Sequence, residues 1–248
     1  MLNLDLIHLI NSGKAVAFVG TGPSCDAGLD GWLRLAASVA AVLTAENCDT
    51  RRAQKAIEVA RAQRTNEATL LPEAFDLLKG SSNARRVEDI VRRRMSTPST
   101  PGRFHLAFAD WPFQYYVTPN FDPLLDRALT PHGFVSIGNT VGEIRKLSGG
   151  AGRLVWHPHG ATPLPRDKVL RLVLGKDDYD ETYAVGSPIS NTLASLAQFH
   201  RLVFLGFGFA DSDLLRLLDS VKRISSPSKP SFAFLGQEHP TSREAQLL

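Results

Sequence analysis

Residues 15–28, AVAFVGTGPSCDAG, decide the fold that the sequence predicts. The first five form a continuous run of small and β-branched apolar side chains that ends at a glycine, which is typical of a strand buried on both faces of a parallel sheet. The glycine-rich turn leads into a helix, which we expect to begin near Ala27 or Leu33. Because glycines let the backbone approach a pyrophosphate and a helix N-terminus offers amide donors, this segment suits a dinucleotide.

The spacing of these glycines leaves two interpretations open. Gly28 follows Gly22 by six residues, whereas the dehydrogenase fingerprint places its third glycine three residues after the second. Phosphate binding, to which Thr21 and Ser24 would add hydroxyl donors, therefore competes with a plain tight turn between a strand and a helix. A P-loop is excluded, because no Gly-Lys-Ser/Thr follows at the required spacing.

Further apolar runs predict a sheet built along the whole chain. The other predicted strands are Tyr115–Thr118, Phe134–Ile137, Arg153–Trp156, Arg201–Leu205 and Ser231–Leu235. Predicted helices lie between or beside them, at residues 2–11, 123–129, 189–199 and 213–221. Strands that alternate with helices indicate an α/β fold, with a parallel sheet that has helices on both faces.

Between the first two strands lies a long segment of helical composition. Residues 33–95 are rich in Ala, Leu, Arg and Glu, and we expect breaks at Thr65, Pro72 and Gly80. We interpret this segment, extended to about residue 110, as an inserted helical module. The length of 248 residues fits one large domain that carries such an insert.

Composition excludes several classes of protein. Hydrophobic residues make up 43% and charged residues 21%, which excludes disordered and collagen-like chains. The net charge of +3 is too small to indicate nucleic-acid binding, and none is predicted. The arginine clusters at 51–52 and 92–94 are interpreted as solvated helix faces, with a nucleic-acid or partner patch as the alternative.

Cysteine content and hydropathy indicate the cellular setting. The two cysteines, Cys25 and Cys48, are too few for a disulfide framework or a four-thiolate zinc site, so we expect a reducing, cytoplasmic location. No stretch approaches the roughly 18 apolar residues of a membrane span, and the N-terminus lacks the pattern of a secretion signal. We therefore predict no contact with a membrane.

Polar residues follow two of the predicted strands. TPNFD places Asn120 and Asp122 after the second strand, at the sheet edge where ligands bind in open α/β folds. The alternative is structural, with Asn120 as a turn residue and Asp122 as a helix N-cap. RLVWHPHGA supplies His157 and His159, and a histidine there would accept a proton near neutral pH. Zinc binding by this pair is disfavoured, since no Cys or Glu ligand lies at a recognisable spacing, and no metal is predicted.

These segments together resemble the sirtuin superfamily. The resemblance rests on the GTGPS turn with Ala27, Gly28 and Trp32, on TPNFD, on His159-Gly160 and on VFLGFGFADSDL, in that order. It implies a Rossmann-like fold with NAD as the substrate. Asn120 would orient the nicotinamide ribose and the attacking water, Asp122 would contact the carboxamide or ribose, and His159 would take up a proton.

The same resemblance implies which residues hold the dinucleotide. On the adenosine side Asp211 would hold a ribose, Asp213 would cap a helix, and a final strand ending at Gly236 would cover the adenine. The full set of implied NAD-binding residues is Gly20, Thr21, Gly22, Ser24, Ala27, Gly28, Trp32, Gly206, Gly208, Asp211 and Gly236.

Two departures from protein-deacylating sirtuins point to one branch of the family. The four zinc-binding cysteines of the deacylases are missing, and Pro119 stands where they commonly carry glutamine. Both features, with DDYDETYA at 177–184, resemble the sirtuin-like domains of bacterial antiviral systems, which hydrolyse NAD to ADP-ribose and nicotinamide. In that branch Tyr179 would be a structural residue or a pocket wall.

This branch implies an NAD glycohydrolase that acts as the toxic effector of an abortive-infection system. We expect a homo-oligomer or a complex with a sensor module, such as an ATPase, an Argonaute-like protein or a repeat domain, and a continuation of the chain beyond TSREAQLL. Two alternatives stay open, an NAD-dependent protein deacylase and a non-catalytic module that binds NAD or ADP-ribose.

Overall fold

The computed structural model describes residues 4–63, 67–96, 100–150, 152–207 and 232–234. Within these ranges six strands form one sheet: β1 (Ala15–Val19), β2 (Tyr115–Val117), β3 (Phe134–Ile137), β4 (Arg153–Trp156), β5 (Arg201–Leu205) and β6 (Phe232–Phe234). The helices of the same ranges are α1 (Leu4–Asn11), α2 (Gly22–Asp26), α3 (Trp32–Ala45), α4 (Arg51–Ala62), α5 (Glu67–Lys79), α6 (Ala84–Met95), α7 (Arg103–Ala109), α8 (Leu124–Leu129), α9 (Val141–Ser148), α10 (Lys176–Thr182) and α11 (Pro188–Phe199).

All of the paired strands run parallel, in the order β3-β4-β2-β1-β5-β6. The chain leaves β1 for strands on one side and returns to β5 on the other side, so the order reverses at β1 and β5. In open α/β sheets such a reversal creates a crevice at the carboxyl ends of the strands, where ligands bind. The predicted Rossmann-like sheet and its six strands are confirmed, with ends within one residue of those expected.

Burial on the two faces of β1 explains why its sequence is an unbroken apolar run. All five of its residues are buried. Val16 and Phe18 pack on one face with residues of α9 and α11, while Ala15, Ala17 and Val19 pack on the other with residues of α1, α7 and α8. A strand that is covered on both faces has no polar side, so its sequence does not alternate between apolar and polar residues.

A separate apolar cluster joins the four helices α3 to α6, which we call the helical layer (residues 32–95). Its interior includes Leu35, Leu71, Phe75 and Val91, each at most 1% exposed. The same cluster takes in Phe121 from the loop after β2 and a set of residues from the loop after β4, which are Ala161, Leu164, Val169, Leu172 and Leu174. The layer therefore packs against the two loops that follow these strands.

The expected helix break at Pro72 is wrong, because Pro72 lies inside α5. A proline within a helix removes one backbone hydrogen bond and costs about 3 kcal/mol or more. Its neighbours Leu71, Ala74 and Phe75 are all fully buried, and their burial offsets that cost. The expected break at Gly80 is confirmed, since α5 ends there with Gly80 at φ +45°, and Thr65 lies outside the described residues.

The expected helix start near Ala27 is also wrong. A short helix, α2, begins at Gly22 inside the glycine turn, and the next helix, α3, begins at Trp32, one residue before the alternative start at Leu33. Pro23 explains the early start, because proline at the first helical turn loses no intrahelical hydrogen bond and has a suitable φ angle.

Two leucines on α5 test how much stability the helical layer supplies. We expect Leu71→Ala to lower the free energy of unfolding by about 2–5 kcal/mol, because Leu71 is fully buried and its truncation leaves a cavity. The matched variant Leu77→Ala makes the same chemical change at a residue that is 39% exposed, and it should cost less than about 1 kcal/mol. Urea denaturation of both variants measures the difference, and equal effects would contradict the packing described.

Candidate active site

The carboxyl ends of four adjacent strands, β4, β2, β1 and β5, bring the predicted motifs to one edge of the sheet. The glycine turn follows β1, Asn120 follows β2, His159 follows β4 and Gly206 follows β5. The sequence separates these segments by up to 186 positions, and only the parallel pairing places their loops side by side. The site is therefore a product of strand order.

The turns after β1 and β5 approach so closely that side chains are excluded between them. Gly20 donates its N–H to the carbonyl of Leu205 at 2.9 Å, and Gly22 donates to the carbonyl of Gly206 at 3.0 Å. A Cβ added to either glycine would lie 2.8 Å from the Gly206 oxygen. Gly206 itself has φ +66°, and its Cβ would lie 2.4 Å from Pro23 Cδ. Packing alone therefore requires glycine at all three positions.

The other predicted residues of the glycine turn differ in their exposure and in what they contact. Thr21 is exposed at the turn. Gly28 is exposed at φ +90° with no atom within 4 Å of an added Cβ, so it serves as the left-handed residue after α2. The Ala27 methyl group lies against Gly102 at the start of α7.

Trp32 packs between two other rings. Its ring centroid lies 4.9 Å from that of Phe75 in the helical layer and 5.7 Å from that of Phe121 in the loop after β2. The tryptophan thus joins the layer to the Asn120 loop, and its predicted contact with NAD stays a prediction.

Asn120 is held by its neighbours in a single orientation. Its side chain is 7% exposed, and its amide Nδ2 donates to the carbonyl oxygen of Gly20 at 2.9 Å. A carbonyl can only accept, so the amide nitrogen must face Gly20. Its Oδ1 is consequently buried with no hydrogen-bond partner among the described residues. A buried acceptor without a partner costs free energy, which a hydrogen bond from a bound molecule would recover.

Ser24 lies beside Asn120 and is 4% exposed. Its Oγ is 3.5 Å from Asn120 Nδ2 and 3.4 Å from Nε2 of His105, a residue of α7 that the sequence interpretation did not single out. Because His105 is separated from Ser24 by 81 positions, no local pattern in the sequence could have shown this contact.

Asp122 lies one residue before Pro123, which is the N-cap of α8, and its side chain forms a local turn with the start of that helix. Its Oδ1 accepts the backbone N–H of Leu124 at 3.0 Å, at the first residue of α8, and the side chain is 6% exposed. An aspartate that accepts a backbone N–H at a helix start is a common stabilising arrangement. A direct contact between Asp122 and NAD stays a prediction.

The two histidines after β4 have different roles. His157 is fully buried, and its Nδ1–H donates to the backbone carbonyl of Asn120 at 3.1 Å while Nε2 lies 3.0 Å from Oδ1 of Asp126. Burial alone would lower the pKa of His157, but the carboxylate of Asp126 and these hydrogen bonds raise it above its usual value. His157 thus forms a buried ion pair that supports the backbone of Asn120.

His159 lies in a group of aromatic rings and is 1% exposed. Its Nε2 is 2.6 Å from the hydroxyl oxygen of Tyr183, and the ring of Tyr179 meets it edge-on with centroids 5.1 Å apart. Tyr179 is fully buried, as expected for a structural residue or wall. Tyr183 was missed, although the spacing of four between the tyrosines predicts that both lie on one face of a helix.

Some predicted features cannot be placed. Gly208, Asp211, Asp213 and Gly236 lie outside the described residues, as does the predicted helix over 213–221. In the part of the chain that is described, no three His, Cys, Asp or Glu side chains are grouped as a metal site would require. Across those same ranges, every helix is too short or too polar to cross a membrane.

A six-stranded parallel sheet whose strand order reverses at β1 and β5, with helices packed on both of its faces, defines a Rossmann-like α/β domain. The family model described as SIR2-like domain matches residues 114–248. The chain belongs to this family.

Two relatives carry the name NAD(+) hydrolase ThsA. This chain is 22% identical over 219 residues to the protein of Bacillus cereus (strain MSX-D12), a match covering 88% of this chain and 42% of the relative. It is 25% identical over 139 residues to that of Acinetobacter baumannii (strain 532279), covering 56% of this chain and 27% of the relative. The matches thus span less than half of each relative.

The buried pair of His157 and Asp126 makes stability depend on pH. The folded-state pKa of His157 is raised, so its stabilising contribution is complete below the unfolded value of about 6.5 and is lost as pH rises through the folded value. We expect His157→Gln to cost about 3–5 kcal/mol near pH 6, since it leaves Asp126 buried without its partner.

Denaturation of wild type and variant between pH 6 and pH 10 measures this effect, and the difference in stability should shrink as pH rises. His132→Gln, at an exposed histidine, is the control and should leave stability unchanged throughout. A difference of constant size across this range would rule out a charged His157.

Proposed function

We propose that this chain hydrolyses NAD to ADP-ribose and nicotinamide. The observation that carries the proposal is the buried Oδ1 of Asn120, an acceptor that the Gly20 carbonyl fixes in orientation and that has no partner among the described residues. Such an atom suits a hydroxyl or a water molecule that must be held in one position. The names of the two relatives support NAD as the substrate.

The reaction breaks the bond between the ribose C1′ and the nicotinamide nitrogen, and its electron pair leaves with nicotinamide. A water oxygen then bonds to C1′, and one proton is released. The transition state has oxocarbenium character, so the site must position water or ribose hydroxyls and accept a proton. Asn120 Oδ1 would accept a hydrogen bond from the ribose or the water, which lowers the entropic cost of reaching this geometry.

His159 would take up the released proton. Its Nε2 faces the Tyr183 hydroxyl at 2.6 Å, and the surrounding rings of Tyr179 and Tyr183 fix the plane of the imidazole. A base held in this way loses little rotational freedom when substrate binds. The contact with Tyr183 also offers a path by which the proton leaves the buried ring.

The phosphates would lie over the turns after β1 and β5. These turns leave no space for side chains between them, and the ligand would meet the hydroxyls of Thr21 and Ser24 there. Ala27, Gly28 and Trp32 would complete this side, and Gly206, Gly208, Asp211 and Gly236 would hold the adenosine half.

Hydrolysis is favoured over deacylation by the helical layer and the cysteine count. A chain with two cysteines lacks the four-thiolate zinc module of the deacylases, and helices α3 to α6 stand between β1 and β2. By the resemblance to antiviral sirtuin-like domains, we propose that the activity is the toxic effector of an anti-phage system. It would act in the cytoplasm, as a homo-oligomer or in complex with a sensor module.

Substitution of the two central residues tests this function. We expect Asn120→Ala and His159→Ala to lower the rate of nicotinamide release from NAD by about 10²–10³-fold, as loss of a positioned polar group or a base does. Liquid chromatography of nicotinamide and ADP-ribose measures the rate, and circular dichroism checks that each variant folds.

Matched controls are available at exposed residues of the same types. Asn191→Ala and His132→Ala should retain the wild-type rate, since both side chains lie at the surface. Wild-type rates in the Asn120 and His159 variants would refute the site assignment. Deacetylation of an acetyl-lysine peptide, or binding of NAD without turnover, would instead support the deacylase or the binding module.

A further inference from the structure

His105 is a buried histidine that the proposed reaction does not use. It lies on α7, its side chain is fully buried, and it is not one of the two histidines after β4. Its Nδ1 lies 3.2 Å from the backbone nitrogen of Gly102, and its Nε2 lies 3.4 Å from Oγ of Ser24. One ring therefore connects the start of α7 to the glycine turn.

The tautomer of His105 follows from its partners. A backbone N–H can only donate, so Nδ1 accepts from Gly102 and carries no proton. Burial also lowers the pKa of His105, which favours the neutral ring. The single ring proton is then on Nε2, from which it can donate to Ser24 Oγ.

Ser24 receives a second hydrogen bond from Asn120. One Nδ2 proton of Asn120 goes to the Gly20 carbonyl at 2.9 Å, and the other points to Ser24 Oγ at 3.5 Å. The two contacts to Ser24 are longer than the roughly 2.7–3.2 Å of most N–H···O hydrogen bonds, and hydrogen bonds of catalytic groups often shorten when substrate binds.

A hydroxyl oxygen accepts at most two hydrogen bonds and donates one. With His105 and Asn120 occupying both acceptor positions, Ser24 can interact further only through its own O–H. No acceptor for this proton lies among the described residues, so the arrangement leaves Ser24 as a donor and Asn120 Oδ1 as an acceptor next to each other.

We propose that His105 is a positioning residue that, through Ser24, directs one hydrogen-bond donor to a phosphate oxygen of the bound dinucleotide. This inference rests on the proposed function for the identity of the ligand. Without the Nε2–H of His105, the orientation of the Ser24 hydroxyl would no longer be fixed, and its O–H could rotate away from the ligand. The ligand would then face a lone pair in place of a proton.

The first test is the protonation state of His105 in the wild-type protein. Nitrogen-15 spectra of histidine-labelled protein, assigned with a His105→Gln sample, should show a neutral ring with its proton on Nε2 at pH 7. A proton on Nδ1, or a charged ring, would overturn the proposal. This measurement is made on the wild-type protein and does not depend on enzymatic activity. The His105→Gln sample serves only to assign the signal.

The second test is a double-mutant cycle read by calorimetry with ADP-ribose, which is not consumed. We expect His105→Ala and Ser24→Ala each to raise the dissociation constant about fivefold, as loss of one hydrogen bond does. The double variant should be no weaker than either single one, because the two residues act on one bond. His105→Gln, which keeps a donor near the Nε2 position, should recover most of the affinity.

The outcomes separate this inference from the proposed hydrolysis. If His105→Ala weakens binding equally with and without the Ser24 hydroxyl, His105 acts by packing and the proposal is wrong. It is equally wrong if wild type does not bind ADP-ribose. Binding with the expected coupling, but without nicotinamide release from NAD, would uphold the role of His105 while the proposed hydrolysis fails.

Discussion

The hydrogen bond from the Asn120 amide to the Gly20 carbonyl joins the loops of two neighbouring parallel strands, and the geometry of the site depends on it. Beside it, Thr118 donates its hydroxyl to the carbonyl of Val19 at 2.7 Å, so the loop after β2 is tied to β1 at two successive points. From below, His157 donates to the backbone carbonyl of Asn120. Asn120 is thus fixed through both its side chain and its main chain, and its one remaining polar atom is Oδ1.

The glycine turn shows what the close packing of two strand ends demands of a sequence. Gly20 and Gly22 are required because the Gly206 carbonyl lies within 2.8 Å of any Cβ placed there. The N–H groups of both glycines already donate within the protein, to the carbonyls of Leu205 and Gly206. Glycine count alone therefore cannot distinguish a phosphate loop from a tight junction of two strand ends.

The strands could be predicted because each is a short apolar run that ends in a turn, and burial on both faces leaves no other pattern. Two features of the helices could not be predicted, namely the helix that begins at Gly22 and the uninterrupted helix through Pro72. A single sequence does not show whether a proline starts a helix or lies inside one. Asn120 and His159 could be singled out from the sequence because each lies shortly after the end of a predicted strand. The contacts of His105 and Asp126 depend on which distant segments pack together, and no local pattern records that.

The helical layer supports both of the loops that carry the central residues. Trp32 stacks on Phe121, the residue after Asn120, and the Arg92 side chain lies 3.3 Å from the carbonyl oxygen of Thr162 in the loop after His159. Lys79 of α5 pairs with Asp178 of α10, the helix that carries Tyr179. Two parts of the structure therefore fix the relative positions of Asn120 and His159. One is the order of the strands that carry their loops, and the other is the helical layer. A change in how these helices pack would reach both residues together, because each loop shares apolar contacts with the same cluster.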